Sequence, residues 1–301
     1  MAASFASPAL LRVEGQPGAQ FAPASGYFRA ADGWIRTHAN YPHHALATAR
    51  ALGIPSGIPD DDGAAFREAV TSALASLPVA EAERRLRAAG AAAARLRTRE
   101  EWLDSPEGAA AEEGEWITVA PPAPGQRAPD REARLEGLRV LALTRVVAGP
   151  AATRFLAALG ADVIRIDPPH LPELRDQHID FTFGVRTAAA DLRDPETLAR
   201  AQELAAEADV LVCGYRSGAL ERFGLRAPVE VHLNAWGWSG PWRDARGFDS
   251  VVQAAVGIGH LYGGSGSDGV WRPGALPVQA LDHASGFGLA AAALELVAGG
   301  R

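Results

Sequence analysis

Cysteine is almost absent from this chain of 301 residues, in which Cys213 is the only one. A single cysteine cannot form an intramolecular disulfide, so a reducing compartment is the simpler environment, and we expect the cytoplasm. Long apolar runs are also absent, because Arg, Asp and Pro interrupt them well before the length of a membrane span. The first residues contain neither a basic segment nor a long apolar one, so no targeting signal is expected.

Strong positive charge is missing as well. The formal net charge is −7 without a long basic cluster, which argues against nucleic acid or an anionic membrane surface as the main partner. No GxGxxG run opens the first helix of the alternating strand and helix pattern in residues 135–301, which disfavours a nicotinamide-dependent enzyme, and a Walker motif is missing too. With 48% hydrophobic and 22% charged residues, the chain can bury a sizeable core over two ordinary domains. These properties are compatible with a soluble enzyme.

Three histidines, His38, His43 and His44, lie close together in the first part of the chain. Such a group could indicate a metal site, but no carboxylate or cysteine stands at ligand spacing beside it. We therefore expect no metal.

A segment rich in Pro and charge, residues 119–134, divides the chain and is predicted to be an extended linker. Residues 1–118 before it are predicted to form a small α+β domain. The dipeptide Asp32-Gly33 favours a hairpin turn, and Thr98 with Glu101 three residues later forms a capping box. The predicted helices cover residues 64–76 and 79–89, and a predicted strand covers 92–96.

Strands and helices alternate in residues 135–301, which predicts an α/β fold with a Rossmann-like parallel sheet. The predicted strands are 139–143, 162–166, 210–213 and 231–235, and the predicted helices are 151–159, 195–208 and 248–257. Ligands of such sheets bind outside the carboxyl ends of the strands. The segment Thr144 to Pro150, TRVVAGP, follows the first of these strands and is therefore the first candidate for chemistry.

Several segments in order resemble the family III CoA-transferases of the CaiB/BaiF type, which move coenzyme A between carboxylic acids. Four ordered motifs at about the expected intervals are a specific signal, whereas any one alone would be weak. The resemblance opens with TRVVAGP and GADVIRID, and the four motifs that follow are DLRDPETLARAQELAAEADVLV, YRSGALERFGL, WGWSGPWRDARGFDSVVQAAVGI and VQALDHASGFGLAAAALEL.

The resemblance implies that Asp282 is the catalytic aspartate. A carboxylate can attack an acyl-CoA thioester, form a mixed anhydride and then carry coenzyme A as an enzyme-bound thioester. Coenzyme A is the only carrier that this chemistry requires. Gly286 is a candidate for a backbone N–H that stabilises the anionic intermediates. The alternative is that Asp282 only caps a helix that begins at about His283.

The resemblance also implies contacts with coenzyme A. Arg222 and Arg246 correspond to basic residues near its phosphates, and Tyr215 to an aromatic ring against the adenine. The backbone of Val147, Ala148 and Gly149 corresponds to the pantetheine or acyl region. The alternatives are surface charge for the arginines, a core aromatic for Tyr215, and a tight strand-to-helix turn for Gly149-Pro150.

The order of the segments departs from the family. Residues 1–118 resemble the family's second, smaller domain, which normally follows the sheet domain, so a tandem fusion or a permuted relative is predicted. The family's later glycine-rich loop and C-terminal helix have no counterpart after Asp282, so the site would be completed by another chain or be incomplete. Because family members form interlocked dimers, we expect a homodimer in which residues 119–134 cross between the chains.

Two other functions stay open. The related α-methylacyl-CoA racemases pair the aspartate with a histidine, and this chain has Phe248 at that position, which cannot exchange a proton. His283 or His260 would have to replace it. The second alternative is a non-catalytic, CoA-binding or structural subunit, which the missing C-terminal elements favour and the retained Asp282 disfavours.

Overall fold

The structure is a computed structural model that describes residues 5–18, 21–55, 63–121, 135–216 and 221–299. The chain divides into two units. The first consists of Met1–Gly18, Trp116–Asn234 and Ala280–Arg301, and the second of Ala19–Glu115 and Ala235–Gln279.

The first unit is built on five parallel strands, whose order across the sheet is residues 229–232, 210–213, 139–143, 162–167 and 186–189. Apolar residues run continuously through residues 140–143 and 210–213 of two neighbouring interior strands, as expected for parallel strands that are covered on both faces. The predicted Rossmann-like α/β fold is therefore confirmed. The strands are β6 (Arg139–Leu143), β7 (Asp162–Asp167), β8 (Arg186–Ala189), β9 (Val210–Cys213) and β10 (Val229–His232).

Helices cover both faces of this sheet. One face packs against α7 (Ala148–Ala158) and α12 (Ala280–Val297), whose residues share a core with Val140, Val163 and Val210. The other face packs against α9 (Pro195–Glu207) around Leu141 and Leu211. The unit also contains α1 (Ser7–Leu10), the hairpin of β1 (Arg12–Val13) and β2 (Gln16–Pro17), α8 (Arg175–Phe181) and a 3₁₀ turn at Glu221–Phe223.

The second unit contains a three-stranded antiparallel sheet of β3 (Gly26–Arg29), β4 (Trp34–His38) and β5 (Ala92–Arg95). The predicted turn at Asp32-Gly33 joins β3 to β4, and the predicted capping box is present at the start of the helix Arg99–Leu103. A short hairpin pairs β11 (Gly264–Ser265) with β12 (Trp271–Arg272). The helices of this unit are α2 (Pro42–Ala51), α3 (Gly63–Ala75), α4 (Val79–Ala88), α5 (Arg99–Leu103), α6 (Pro106–Glu112), α10 (Asp249–Ala255) and α11 (Ile258–Leu261).

These units differ from the predicted domains mainly in two segments. Residues 1–18, predicted to belong to the small α+β domain, belong to the unit of the parallel sheet, and residues 235–279, predicted to belong with the parallel sheet, belong to the second unit. In the structure the backbone N–H of Arg97 donates to the carbonyl of Ala254 at 3.1 Å. The rings of Trp236 and Trp242 lie 6.1 Å and 5.8 Å from that of Trp102. Most of the predicted linker, residues 122–134, lies outside the described residues.

None of the helices formed by these described residues combines the length and the apolar character that a membrane crossing requires.

Candidate active site

The turn between β6 and α7 lies at the carboxyl edge of the parallel sheet. The helix begins at Ala148, with Val147 at its N-cap position. A valine side chain has no polar atom, so it cannot accept a hydrogen bond from the amides of the first helical turn. The amide-rich start of a helix at this edge is suited to a ligand with negative charge.

Val146 holds this turn in a strained conformation, with a φ of +69°. Positive φ is strongly disfavoured for a β-branched residue. The described residues contain one other non-glycine residue of this kind, Glu14, which precedes Gly15 in the two-residue turn of the β1–β2 hairpin, where positive φ is normal. Hairpin geometry thus accounts for Glu14 but not for Val146.

A buried carboxylate holds the strained residue. The amide of Val146 donates to Oε2 of Glu173 at 2.9 Å, and Nη2 of Arg165 donates to the same oxygen at 3.1 Å. The side chains of Glu173 and Arg165 are 3% and 1% exposed. Arg165 also donates to Oδ1 of Asp167 at 2.7 Å, and Nε of Arg145 lies 3.8 Å from Glu173. The charges in this network are therefore matched inside the protein.

Two glycines let the backbone approach Thr144, which is fully buried. A Cβ atom added to Gly149 would lie 1.6 Å from Oγ1 of Thr144, and one added to Gly214 would lie 2.5 Å from it. A side chain at Gly149 would push α7 away from the end of β6, and one at Gly214 would push the ends of β6 and β9 apart. Gly149 therefore packs closely against Thr144 in the first turn of α7, and this packing is compatible with the predicted ligand contact of its backbone.

Asp282 is half-buried in the first turn of α12. The helix begins at Ala280, so the idea that Asp282 caps a helix beginning at about His283 is wrong. One turn later, a Cβ atom on Gly286 would lie 2.6 Å from the carbonyl oxygen of Ala148. Residues four apart share one face of a helix, so Asp282 lies on the face of α12 that packs at the start of α7.

Gly286 does not have the position that an oxyanion donor needs. It lies in the interior of α12, where the amide of each residue donates to the carbonyl four residues earlier. Its function in this structure is close packing, because a side chain would collide with the backbone of α7. The expectation that its N–H stabilises the intermediates is therefore corrected.

Tyr215 follows β9 at the same edge of the sheet and packs partly against the Leu141 core. Burial raises the pKa of its phenol to about 12, so the phenol stays protonated at neutral pH. Arg222 is exposed, and its guanidinium lies 4.7 Å from the centre of the Phe223 ring. Both residues belong to the first unit, as does Asp282.

Arg246 belongs to the second unit, where its guanidinium donates to the carbonyl oxygen of Gly90. Arg246, which is predicted to contact coenzyme A, therefore already makes a hydrogen bond to the backbone of its own unit.

The histidines considered for racemase chemistry belong to different units. His283 is buried beside Asp282, and burial lowers the pKa of its imidazole, which keeps the ring neutral. His260 is exposed in the second unit, with its ring 5.6 Å from that of Trp271. Phe248 stacks face to face on His38, with ring centres 3.7 Å apart.

A comparison of this chain with models of known protein families agrees with the ordered motifs and the parallel sheet. The model of CoA-transferase family III matches residues 3–129 and 135–299. The chain belongs to CoA-transferase family III.

Individual relatives in family III match shorter segments. Human succinyl-CoA:glutarate CoA-transferase is 33% identical over 161 residues, which cover 46% of this chain and 36% of the human protein. The acetyl-coenzyme A transferase nodX of Hypoxylon pulicicidum is 34% identical over 142 residues, covering 43% of this chain and 24% of nodX. A solved CaiB/BaiF family protein from Brucella suis is 26% identical with a TM-score of 0.46, over 54% of this chain and 48% of that one. The chain spans less than half the length of these relatives.

Sequence reasoning did not find the network of Glu173, Arg165 and Asp167. One signal was present, because Arg165 interrupts the apolar strand VIRID and a charged residue in a buried parallel strand needs a partner. Glu173 follows in a connection without a motif, so its pairing with the β6–α7 turn is visible only in three dimensions. In the described part of the chain, no three His, Cys, Asp or Glu side chains converge as a metal site would require.

Proposed function

We propose that this chain acts, alone or as part of a larger protein, in the transfer of coenzyme A from an acyl-CoA to a carboxylic acid, with Asp282 as the nucleophile. The observation that carries the proposal is the position of Asp282, in the first turn of the helix whose Gly286 packs against the start of α7. In this proposal the carboxylate of Asp282, on the face of α12 that packs at the start of α7, would act next to the first amides of α7.

The proposed reaction uses two exchanges at Asp282. An oxygen of its carboxylate attacks the thioester carbon, the C–S bond breaks, and coenzyme A leaves as the thiolate with the acyl group in a mixed anhydride. The thiolate then attacks the aspartyl carbonyl, which releases the first carboxylic acid and leaves an aspartyl thioester. Attack by the second carboxylate repeats the two steps in the reverse direction and forms the new acyl-CoA, so no oxidant, reductant or metal is consumed.

The β6–α7 turn would stabilise the anionic tetrahedral intermediates. The amides of Val147, Ala148 and Gly149 lie at the start of an 11-residue helix, where unpaired N–H groups and the helix dipole favour negative charge. Tyr215 follows the neighbouring strand and would contact the nucleotide part of coenzyme A. Arg222 would pair with its phosphates, whereas the phosphate contact of Arg246, whose guanidinium bonds the carbonyl oxygen of Gly90 in the second unit, stays a prediction.

The substrates and the assembly are part of the same proposal. Relatives are named for acetyl, succinyl, oxalate and glutarate groups, so small carboxylic acids are the first candidates. We propose a cytoplasmic homodimer, interlocked through residues 119–134. Cleavage in that segment without dissociation would support the interlocked form, and a stable monomer would contradict it.

Intact-protein mass spectrometry tests the covalent step. The protein is incubated with acetyl-CoA and with succinyl-CoA, and each sample is then divided and treated with or without hydroxylamine. We expect an adduct that hydroxylamine removes, that Asp282→Ala abolishes, and that the control Glu196→Ala retains. Glu196 is a suitable control because it is an exposed acidic residue in the first turn of α9, in the same unit.

The other outcomes separate the alternatives. CoA bound without an adduct, with exchange of the substrate α-proton in deuterated water, would indicate a racemase. Bound CoA with neither adduct nor exchange would indicate a non-catalytic subunit, and an absence of CoA binding would contradict the proposal as a whole.

A further inference from the structure

Glu173 is the feature of the sheet edge that the proposed reaction does not use directly. It follows β7 by six residues, and its side chain turns back to the β6–α7 turn. With 3% of its side chain exposed, it is among the least accessible carboxylates near this edge. A buried carboxylate is retained only where donors surround it.

The carboxylate of Glu173 accepts three hydrogen bonds. Oε2 accepts from the amide of Val146 at 2.9 Å and from Arg165 at 3.1 Å, and Oε1 accepts from the amide of Leu174 at 3.0 Å. Nε of Arg145 lies 3.8 Å away, while its Nη2 donates to the carbonyl of Pro172 at 3.0 Å. One rigid carboxylate thus links the 172–174 connection, β7 and the β6–α7 turn.

Val146, whose amide donates the hydrogen bond to Glu173, is the residue with a φ of +69°. A valine leaves the left-handed region as soon as nothing holds it there, because its Cβ crowds the backbone. The next three residues are those whose amides face the proposed reaction. Any relaxation of Val146 therefore turns the amides of Val147 and Ala148 away from their position.

We propose that Glu173 is a positioning residue that fixes the strained conformation of Val146 and thereby aims the amides at the start of α7. The inference rests on the proposed function only for the statement of what those amides bind. The claim that Glu173 holds the turn is independent of it.

A second buried glutamate offers a matched control. Glu83 accepts from the amide of Arg95 at 2.8 Å and from Arg97 at 2.9 Å, with 10% of its side chain exposed. It also pairs an arginine and a backbone amide inside the protein. Arg95 lies in an ordinary strand, so Glu83 holds no strained residue.

The experiment compares Glu173→Gln, Val146→Gly, the double variant and Glu83→Gln. Glutamine has the size of glutamate but places an amide donor against the donors around it. Glycine adopts positive φ without strain, so Val146→Gly should make Glu173 dispensable for the turn. The readouts are the CoA dissociation constant by calorimetry, kcat and KM separately, thermal stability, and hydrogen exchange of residues 144–150.

We expect Glu173→Gln to lower kcat by about 10- to 100-fold, as small misplacements of catalytic groups do, with a smaller change in KM. Hydrogen exchange in residues 144–150 should rise. In the Val146→Gly background the same substitution should change kcat less than about threefold. Glu83→Gln should lower thermal stability without changing kcat, KM or exchange at the turn.

Three results would overturn the inference: exchange at the turn that is unchanged in Glu173→Gln, losses that Glu83→Gln reproduces at equal stability, or a full loss that persists in the Val146→Gly background. If Glu173→Gln does not fold, the double variant and Val146→Gly still give the comparison by hydrogen exchange. If the wild-type protein neither binds nor transfers CoA, the proposed function fails, while exchange at residues 144–150 still decides the function of Glu173.

Discussion

The two units each bury one glutamate against an arginine, and the two pairs differ in what they hold. Glu83 joins a helix to an ordinary strand in the second unit, whereas Glu173 in the first unit holds a strained valine at the carboxyl edge of the sheet. Burial and chemistry are similar, so neither identifies a functional residue alone. The two glutamates differ in the residue whose amide donates to the carboxylate. Val146 has a strained backbone conformation, whereas Arg95 lies in a regular strand.

The largest expected effect is on stability in the second unit. Glu83→Ala leaves the guanidinium of Arg97, whose side chain is 4% exposed, without its carboxylate, and should lower the free energy of unfolding by about 3–5 kcal/mol. Urea unfolding followed by tryptophan fluorescence measures it, since Trp102, Trp236 and Trp242 lie in this unit. A loss below about 1 kcal/mol would mean that solvent reaches Arg97 and that the two pairs are not comparable.

The next effect concerns pH, which should act on the two units in opposite directions. Burial, reinforced by Arg36, lowers the pKa of His38 in the second unit from 6.5 to about 3. Below pH 6.5 the unfolded chain therefore binds a proton that the folded chain does not. Stability should fall as pH falls from 6.5 towards 3, by about 2 kcal/mol at pH 5.

In the first unit, hydrogen bonds with Cys213 and Glu230 raise the pKa of His232 from 6.5 to about 9. Its contribution is fully present below pH 6.5 and is lost as pH rises through 9. The side chain is 42% exposed, so solvent screening makes this effect the smaller one.

Urea unfolding at several pH values measures both slopes. His38→Phe keeps the ring stacked on Phe248 and should remove only the acidic slope, and His232→Gln should remove only the alkaline one. An acidic slope that survives in His38→Phe would assign it to carboxylates instead.

The contrast between the units also shows what local sequence can predict. The predicted β6 and β9 have the observed bounds, because short apolar runs between turn signals define buried strands. Strand β8 was not predicted, since its four residues, RTAA, are all exposed and carry no apolar pattern. Helix α7 begins three residues before the predicted start, with Pro150 inside its first turn, where a missing N–H costs nothing.

At the candidate site, the sequence located the segment Thr144 to Pro150 and Asp282, because both lie in recognisable motifs. It did not locate Glu173 or the strain at Val146. Both depend on a hydrogen bond between residues 27 positions apart, for which a single sequence contains no local signal. For the same reason the sequence did not predict that residues 235–279 belong to the second unit. Their contacts in that unit join segments that are more than 100 residues apart in the chain.

The smallest effect concerns helix starts. In the second unit α5 begins with a full capping box, in which the amide of Glu101 donates to Oγ1 of Thr98 at 3.1 Å and the amide of Thr98 donates to Glu101 at 2.8 Å. Thr98→Ala should therefore lower the free energy of unfolding by about 1 kcal/mol, measured by urea unfolding.

The helix at the candidate site starts instead with Val147, which cannot cap it. If the amides of α7 are kept for a ligand, added CoA should raise the stability of the first unit and leave the loss caused by Thr98→Ala unchanged, because that cap is already complete. A CoA-dependent change in the Thr98→Ala loss would mean that the ligand also acts on the second unit. In that case the functional difference between a capped and an uncapped helix start would not hold.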